Sequence, residues 1–359
     1  MTTEKPKIRV LVVDDSLVMR LSLRRLLESE ADITVVGTAP NGEQGLKSID
    51  ELQPDVVTLD VNMPRMGGLE VLKRLGGKRR PAVIMVSTTT HEGATVTLEA
   101  LELGAFDYIA KSDGFGPHFK NDLVNKVRLA AAHARAKKTA ASGAANWSKP
   151  QAHFRHDPLR EVVVIGASTG GPRALSQVLS KLPKDFPLGI LVVQHMPAVF
   201  TSAFAARLDQ VSAIKVVEAA SGDAILPGHA YVAPGGTQLQ VRRSSPGKLP
   251  VVHVVTSSPQ PRLYAPSVDV AMISAAKAYP GPLVGVVLTG MGSDGKEGMA
   301  AVKARGGVTI AQDRSTSVVY GMPRACAEAG VVDIQLPLPK IPEAIIDVVG
   351  CHLEEVKWP

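Results

Sequence analysis

A serine, a histidine and an aspartate each follow an apolar, strand-like run in the second half of this sequence. Ser168 lies in Gly166-Ala167-Ser168-Thr169-Gly170-Gly171, directly after Val162-Val163-Val164-Ile165. A helix-like segment over residues 173–182 follows. A turn of this kind lifts a hydroxyl clear of a sheet, and the next helix N-terminus offers N–H groups to a developing oxyanion. The same turn also suits a bound phosphate. A hydroxyl nucleophile needs a base, and the base needs an orienting group. Of the nine histidines, only His195 directly follows an apolar strand, in Ile190-Leu191-Val192-Val193-Gln194-His195. A hydrogen-bonded structural histidine is the other reading of that residue. Asp294 lies in Thr289-Gly290-Met291-Gly292-Ser293-Asp294-Gly295, just past the run 283–288. Such a segment also reads as a simple turn or a metal loop. Taken together, Ser168, His195 and Asp294 offer a nucleophile, a base and an orienter for acyl transfer. Their chain order, Ser-His-Asp, differs from the Ser-Asp-His order of α/β-hydrolases.

The first half holds a different chemistry. Asp14 and Asp15 end one apolar run, over 9–13, and Asp60 ends another, over 55–59. Neighbouring strand ends would gather these carboxylates around one point. Clustered carboxylates raise one another's pKa and call for a divalent cation, and oxygen-only ligands favour Mg²⁺. Ser87 and Lys111 follow two further strand-like runs, over 82–86 and 106–109. A carboxylate nucleophile, a metal, a hydroxyl and a lysine make a phosphoryl-accepting site.

The elements that must position these groups alternate. Residues 1–136 read as five β/α repeats, so the expected fold is a (βα)5 unit with a parallel sheet and helices on both faces. Helices are expected over 42–52, 69–75, 95–103 and 120–136, and one is capped by Ser16. Residues 137–158 are small, polar and without periodicity, the composition of a flexible linker. Residues 159–351 read as a second, three-layer α/β/α domain with a mostly parallel sheet. Gly235-Gly236 followed by Gln238-Leu239-Gln240-Val241 predicts an inserted hairpin. In open parallel sheets, ligands bind at the carboxyl ends of strands.

Composition agrees with this division. The chain has 359 residues, 45% hydrophobic and 21% charged, enough for two domains of an ordinary soluble protein. Aromatics make up 4%, which argues against a nucleic-acid stacking platform. The net charge of +6 owes much to lysines and arginines between the two halves, read as a solvated basic linker. Cys326 and Cys351 alone imply no disulfide framework. With no apolar signal core near Met1 and no membrane-length apolar run, the expected location is cytoplasmic, without membrane insertion.

Val10-Leu11-Val12-Val13-Asp14-Asp15-Ser16, Leu59-Asp60-Val61-Asn62-Met63-Pro64 and Ala110-Lys111 resemble the receiver domain of two-component response regulators. That resemblance implies that Asp60 accepts a phosphoryl group from a histidine kinase. It implies Mg²⁺ held by Asp14, Asp15 and Asp60 with the backbone of Asn62. Ser87 and Lys111 would contact the phosphoryl oxygens, and Tyr108 would be the aromatic switch. Ser112 stands where the family often has proline, and Met66-Gly67-Gly68 lacks the family's acidic turn residue.

The serine, histidine and aspartate segments, with Ala233-Pro234-Gly235-Gly236 and Tyr320-Gly321-Met322-Pro323, resemble the chemotaxis protein-glutamate methylesterase family. The resemblance spans both halves. It implies hydrolysis of glutamate methyl esters on chemoreceptor cytoplasmic helices, releasing methanol, and deamidation of particular receptor glutamines. Thr169 and Met291 would supply the backbone oxyanion donors, the second carried over from the family, and ester hydrolysis would need no cofactor. The resemblance also implies that the unphosphorylated receiver covers the catalytic cleft. Two rival readings are a receiver-controlled transcription factor and a nucleotide-binding output domain. The first lacks a compact helical module for DNA. The second leaves His195 and Asp294 without a role, so no nucleic-acid partner is expected.

Overall fold

The computed structural model describes residues 6–76, 81–88, 90–111, 116–139, 161–243, 249–256 and 264–350. The chain divides into two compact units, Met1–Ser148 and Lys149–Pro359.

The first unit runs β1 (Ile8–Val13), α1 (Leu17–Glu28), β2 (Ile33–Ala39), α2 (Gly42–Leu52), β3 (Val56–Asp60), α3 (Gly68–Arg74), β4 (Ala82–Thr88), α4 (His91–Glu102), β5 (Asp107–Lys111) and α5 (Pro117–Thr139). The five strands lie in the order β2-β1-β3-β4-β5, and every pairing is parallel. β3 is buried along its whole length, as a parallel strand covered on both faces must be. From β1 the chain steps one way to β2, and from β3 it steps the other way to β4 and β5. Right-handed crossovers therefore place helices on both faces. The reversal leaves a crevice at the carboxyl ends of β1 and β3, where Asp14 and Asp60 sit.

Helix starts follow their caps. Ser16 Oγ accepts from Met19 N, as the sequence predicts, and Asn41 Oδ1 accepts from Gln44 N. α4 begins at His91 rather than Thr95, because Thr90 Oγ1 accepts from Gly93 N and caps it there. α5 continues through Thr139, into the first residues of the expected linker. From residue 140 onward that linker lies outside the described residues.

The second unit runs β6 (Val162–Ala167), α6 (Gly171–Leu179), β7 (Gly189–Gln194), α7 (Ala198–Val211), β8 (Lys215–Glu218), β9 (His229–Val232), β10 (Gln238–Arg242), β11 (Val251–Val255), α8 (Val268–Ala278), β12 (Val284–Val287), α9 (Lys296–Ala304), β13 (Val308–Gln312), α10 (Met322–Glu328), β14 (Ile334–Leu336) and α11 (Ile341–Val349). Seven strands form one sheet in the order β14-β13-β12-β6-β7-β9-β8, parallel at every pairing. β6, β7, β12 and β13 are buried throughout. β10 and β11 pair antiparallel in a sheet of their own. Gly235-Gly236 thus leads into the first strand of the expected hairpin. It is not the hairpin's turn.

From β6 the chain steps outward to β7, and from β12 it steps the opposite way to β13. Helices therefore pack on both faces, α6 with α7 and α11, and α8 with α9, while α10 packs on α9. β6 and β12 are neighbours at the reversal, so the second crevice opens where Ser168 and the turn before Asp294 emerge.

Candidate functional site

Three adjacent strands, β12, β6 and β7, deliver the three groups singled out for acyl transfer. Ser168 follows β6, and its N–H donates to Thr289 O, at 3.0 Å, in the turn after β12. His195 follows β7, and its N–H donates to Ala167 O at 3.1 Å. The buried Gln194 side chain ties the two turns together, because Nε2 donates to Ser168 O and to His195 O, each at 3.0 Å. Thr289 Oγ1 donates to Thr169 O at 3.0 Å and fixes the residue after the serine. Gly170 has φ +76°, and a Cβ there would lie 2.6 Å from Val318 Cβ, so only glycine fits this turn without strain.

His195 Nε2 lies 2.7 Å from Asp294 Oδ2. Nδ1 is buried and has no hydrogen-bond partner among the described residues. Ser168 Oγ likewise makes no hydrogen bond among them, and Ser168 is partly exposed. Asp294 is buried and heavily supported. It accepts from Ser267 Oγ at 2.8 Å, from Val268 N at 2.7 Å and from Asp269 N at 3.0 Å. Those donors are the N-cap and first turn of α8, whose dipole favours a negative charge. Burial opposes ionisation, but the His195 hydrogen bond and charge and these backbone N–H groups outweigh it, holding Asp294 at about 2.

Asp269, on α8, was not singled out by the sequence. Its Oδ1 accepts from Gly295 N at 2.9 Å and Gly298 N at 2.7 Å, at the start of α9. Burial, and then the charge of Asp294, push it up to about 6 against the Gly298 N–H. The local signal was Ser267-Val268-Asp269, an N-cap serine with an acid in the first turn. That pattern marks a helix start and not a contact across the chain. The Met291 N–H has no hydrogen-bond partner among the described residues, and the side chain is exposed.

In the first unit, Asp14, Asp15 and Asp60 each offer a carboxylate oxygen within 4.8 Å of the others. Asp14 and Asp60 are buried and Asp15 is exposed. Asp14 Oδ1 accepts from Ser16 N at 2.9 Å, whereas Oδ2 is buried without a hydrogen-bond partner among the described residues. Lys111 Nζ lies 3.0 Å from that oxygen, close enough to attract it but off the hydrogen-bonding direction. A hard divalent cation fits this open carboxylate edge. Lys111 Nζ also lies 2.8 Å from Asp60 Oδ2. Burial raises the Asp60 carboxyl to about 6, with Asp14 adding to the rise and Lys111 and the Asn62 N–H opposing it. Desolvation works against the Lys111 cation, but the two aspartates raise its pKa.

Ser87 is buried at the end of β4, and its Oγ donates to Gly93 O at 3.2 Å. Tyr108 is buried too, with Lys126 Nζ donating to its carbonyl at 2.6 Å and lying 5.2 Å from its ring centroid. Four strand ends, those of β1, β3, β4 and β5, thus bring Asp14, Asp15, Asp60, Ser87 and Lys111 to one edge of the sheet. Tyr108 sits inside β5 and not at that edge.

A family model described as CheB methylesterase matches residues 163–345, and one described as response regulator receiver domain matches residues 10–117. A protein-glutamate methylesterase/protein-glutamine glutaminase of Symbiobacterium thermophilum is 46% identical over 358 residues, covering 96% of this chain and 97% of that protein. One of the same name from Pyrococcus abyssi is 42% identical over 357 residues, covering 96% and 94%. The crystal structure of the Thermotoga maritima CheB methylesterase catalytic domain aligns with a TM-score of 0.51 at 43% identity, over 53% of this chain and 99% of that domain.

Proposed function

The chain belongs to the CheB methylesterase family, joined to a response regulator receiver domain, and from that membership we propose how its residues carry out and control ester hydrolysis. The activity is that of a protein-glutamate methylesterase and protein-glutamine glutaminase, regulated through the receiver. The finer assignments are our reading. The methyl esters and glutamines lie on the cytoplasmic helices of chemoreceptors. A chemotaxis-type histidine kinase donates the phosphoryl group, and the protein works in the cytoplasm. The working domain division is a receiver over 1–136, a linker over 137–158 and a catalytic domain over 159–351.

The observation that carries the mechanism is the His195–Asp294 contact at 2.7 Å, at the sheet edge from which Ser168 also emerges. Ser168 Oγ attacks the ester carbonyl and passes its proton to His195 at Nδ1, the ring nitrogen left over. Asp294, ionised and held by the α8 N-terminus, fixes the tautomer and stabilises the imidazole cation. N–H groups of Thr169 and Met291 receive the oxyanion. Collapse expels the methoxy group, which takes the proton from His195 and leaves as methanol. Water then attacks the acyl-serine, with His195 again as base, and releases the glutamate. For a glutamine the same steps expel ammonia.

In the receiver, Asp60 is the phosphoryl acceptor. Asp14, Asp15 and Asp60, with the Asn62 backbone, would hold Mg²⁺, which would neutralise charge on the phosphoryl oxygens. Lys111 and Ser87 contact those oxygens, and Tyr108 responds as the switch. Phosphorylation of Asp60 raises the rate of ester hydrolysis. The test is mass spectrometry of receptor peptides after incubation with the enzyme. Methylated glutamates should lose their methyl groups and susceptible glutamines should become glutamates. Peptides left unchanged by phosphorylated enzyme would contradict the reading.

A further inference from the structure

Tyr264 lies just before α8 and stacks on His195, with ring centroids 4.2 Å apart and planes within 6°. Its place is built from both sides. Tyr264 O accepts from Gln238 Nε2 at 2.7 Å, and Gln238 Oε1 accepts from Ser267 N at 2.9 Å. The buried Gln238 of β10 therefore clamps the segment from Tyr264 to the cap of α8. On the other side, a Cβ at Gly292 would lie 2.7 Å from Tyr264 Oη, so only glycine, here at φ +87°, leaves the phenol its room. Gly292 follows Met291, so Tyr264 spans from the imidazole to the turn assigned to the oxyanion.

Asp294 ties His195 at one ring edge. A single edge contact leaves the ring free to swing about it, and a parallel face contact removes that freedom. An aromatic face also attracts a cation through its quadrupole. The titratable groups around the ring are Asp294 at the Nε2 edge, Asp269 behind Asp294 at the α8–α9 junction, and the Tyr264 phenol on the face. Tyr264 Oη makes no hydrogen bond among the described residues, so its contribution lies in the ring. Burial, and then Asp294, raise the phenol above its usual range, which keeps it neutral against the imidazole.

We propose that Tyr264 is a positioning residue for His195, holding the imidazole plane for proton transfer from Ser168 and favouring the imidazole cation as it forms. The proposal rests on the Ser-His-Asp reading above.

The test uses the full chain, an enzymatically methylated chemoreceptor cytoplasmic fragment, and initial rates of methanol release across pH. Tyr264→Phe keeps the face and should stay within about twofold of wild type. Tyr264→Leu should lose about five- to tenfold in kcat with KM nearly unchanged, as expected for a lost cation–π contact. Its acid limb should move to lower pH, because the imidazole cation is less favoured. Tyr264→Met, which fills the space without a π face, should behave as Leu does and serves if Leu fails to fold. Wild-type kcat and acid limb in both Leu and Met variants would overturn the proposal. So would a Phe variant as impaired as Leu, which assigns the role to the hydroxyl. A Ser168→Ala control that still releases methanol would instead sink the serine mechanism on which the proposal stands.

Discussion

Asp294 and Asp269 cap each other's helices. Asp294, at the start of α9, accepts the Val268 and Asp269 N–H groups that open α8. Asp269, in the first turn of α8, accepts the Gly295 and Gly298 N–H groups that open α9. The carboxylate that orients His195 is therefore held by a reciprocal lock between two helix N-termini.

Asp269→Ala should break one half of that lock. It removes both acceptor contacts to α9, and a lost cap costs on the order of 1–2 kcal/mol. Activity should fall with stability, because Asp294 sits one residue before the loosened Gly295. Asp269→Asn keeps an acceptor oxygen and removes a like charge beside Asp294, so it should retain most of both. Urea denaturation with parallel initial rates checks the pair. An Ala variant as stable and active as wild type would remove Asp269 from the account.

Gly170→Ala should damage the turn that carries Ser168. The residue would be forced to φ +76° with its Cβ 2.6 Å from Val318 Cβ. A cost of roughly 1–3 kcal/mol is expected, along with a loss of kcat as Ser168 and the Thr169 N–H shift. Denaturation and initial rates decide it. No change in either would mean that the turn relaxes freely.

Much of the site was legible because strand ends in a parallel sheet share one edge. Ser168, His195, Asp294, Asp14, Asp60 and Lys111 all lie at or just past strand-like runs, and topology does the rest. Asp269 and Tyr264 were not legible. Their partners are Gly298 and His195, contacts set by helix packing and loop course with no periodicity behind them. The edge strands β8 and β14 carry little sequence signal for a related reason. They are four and three residues long, and only part of each is buried. The early start of α4 was hidden because His91-Glu92-Gly93 carries no apolar stripe.

The Asp60 carboxyl should titrate near pH 6 when no cation is bound. Burial beside Asp14 disfavours its anion, so the proton is kept until the pH rises through that value. A divalent cation prefers the carboxylate, so adding Mg²⁺ should move the midpoint to lower pH and a chelator should restore it. Carbon-13 NMR of aspartate-labelled protein reads this directly, with Asp60→Asn as the assignment control. That variant should also take up no acid-labile phosphate. An Asp60 midpoint that ignores Mg²⁺ would contradict the metal assignment.

The central claim is that Ser168 is the nucleophile of a methylesterase. Initial methanol release from a methylated chemoreceptor fragment, compared for wild type and Ser168→Ala at matched folding and phosphorylation, tests it most directly. The account predicts release by wild type and a loss to the uncatalysed background in Ser168→Ala. Stability should barely change, because the hydroxyl removed is partly exposed and makes no hydrogen bond among the described residues. A folded Ser168→Ala protein that releases methanol at a rate near wild type would contradict the account.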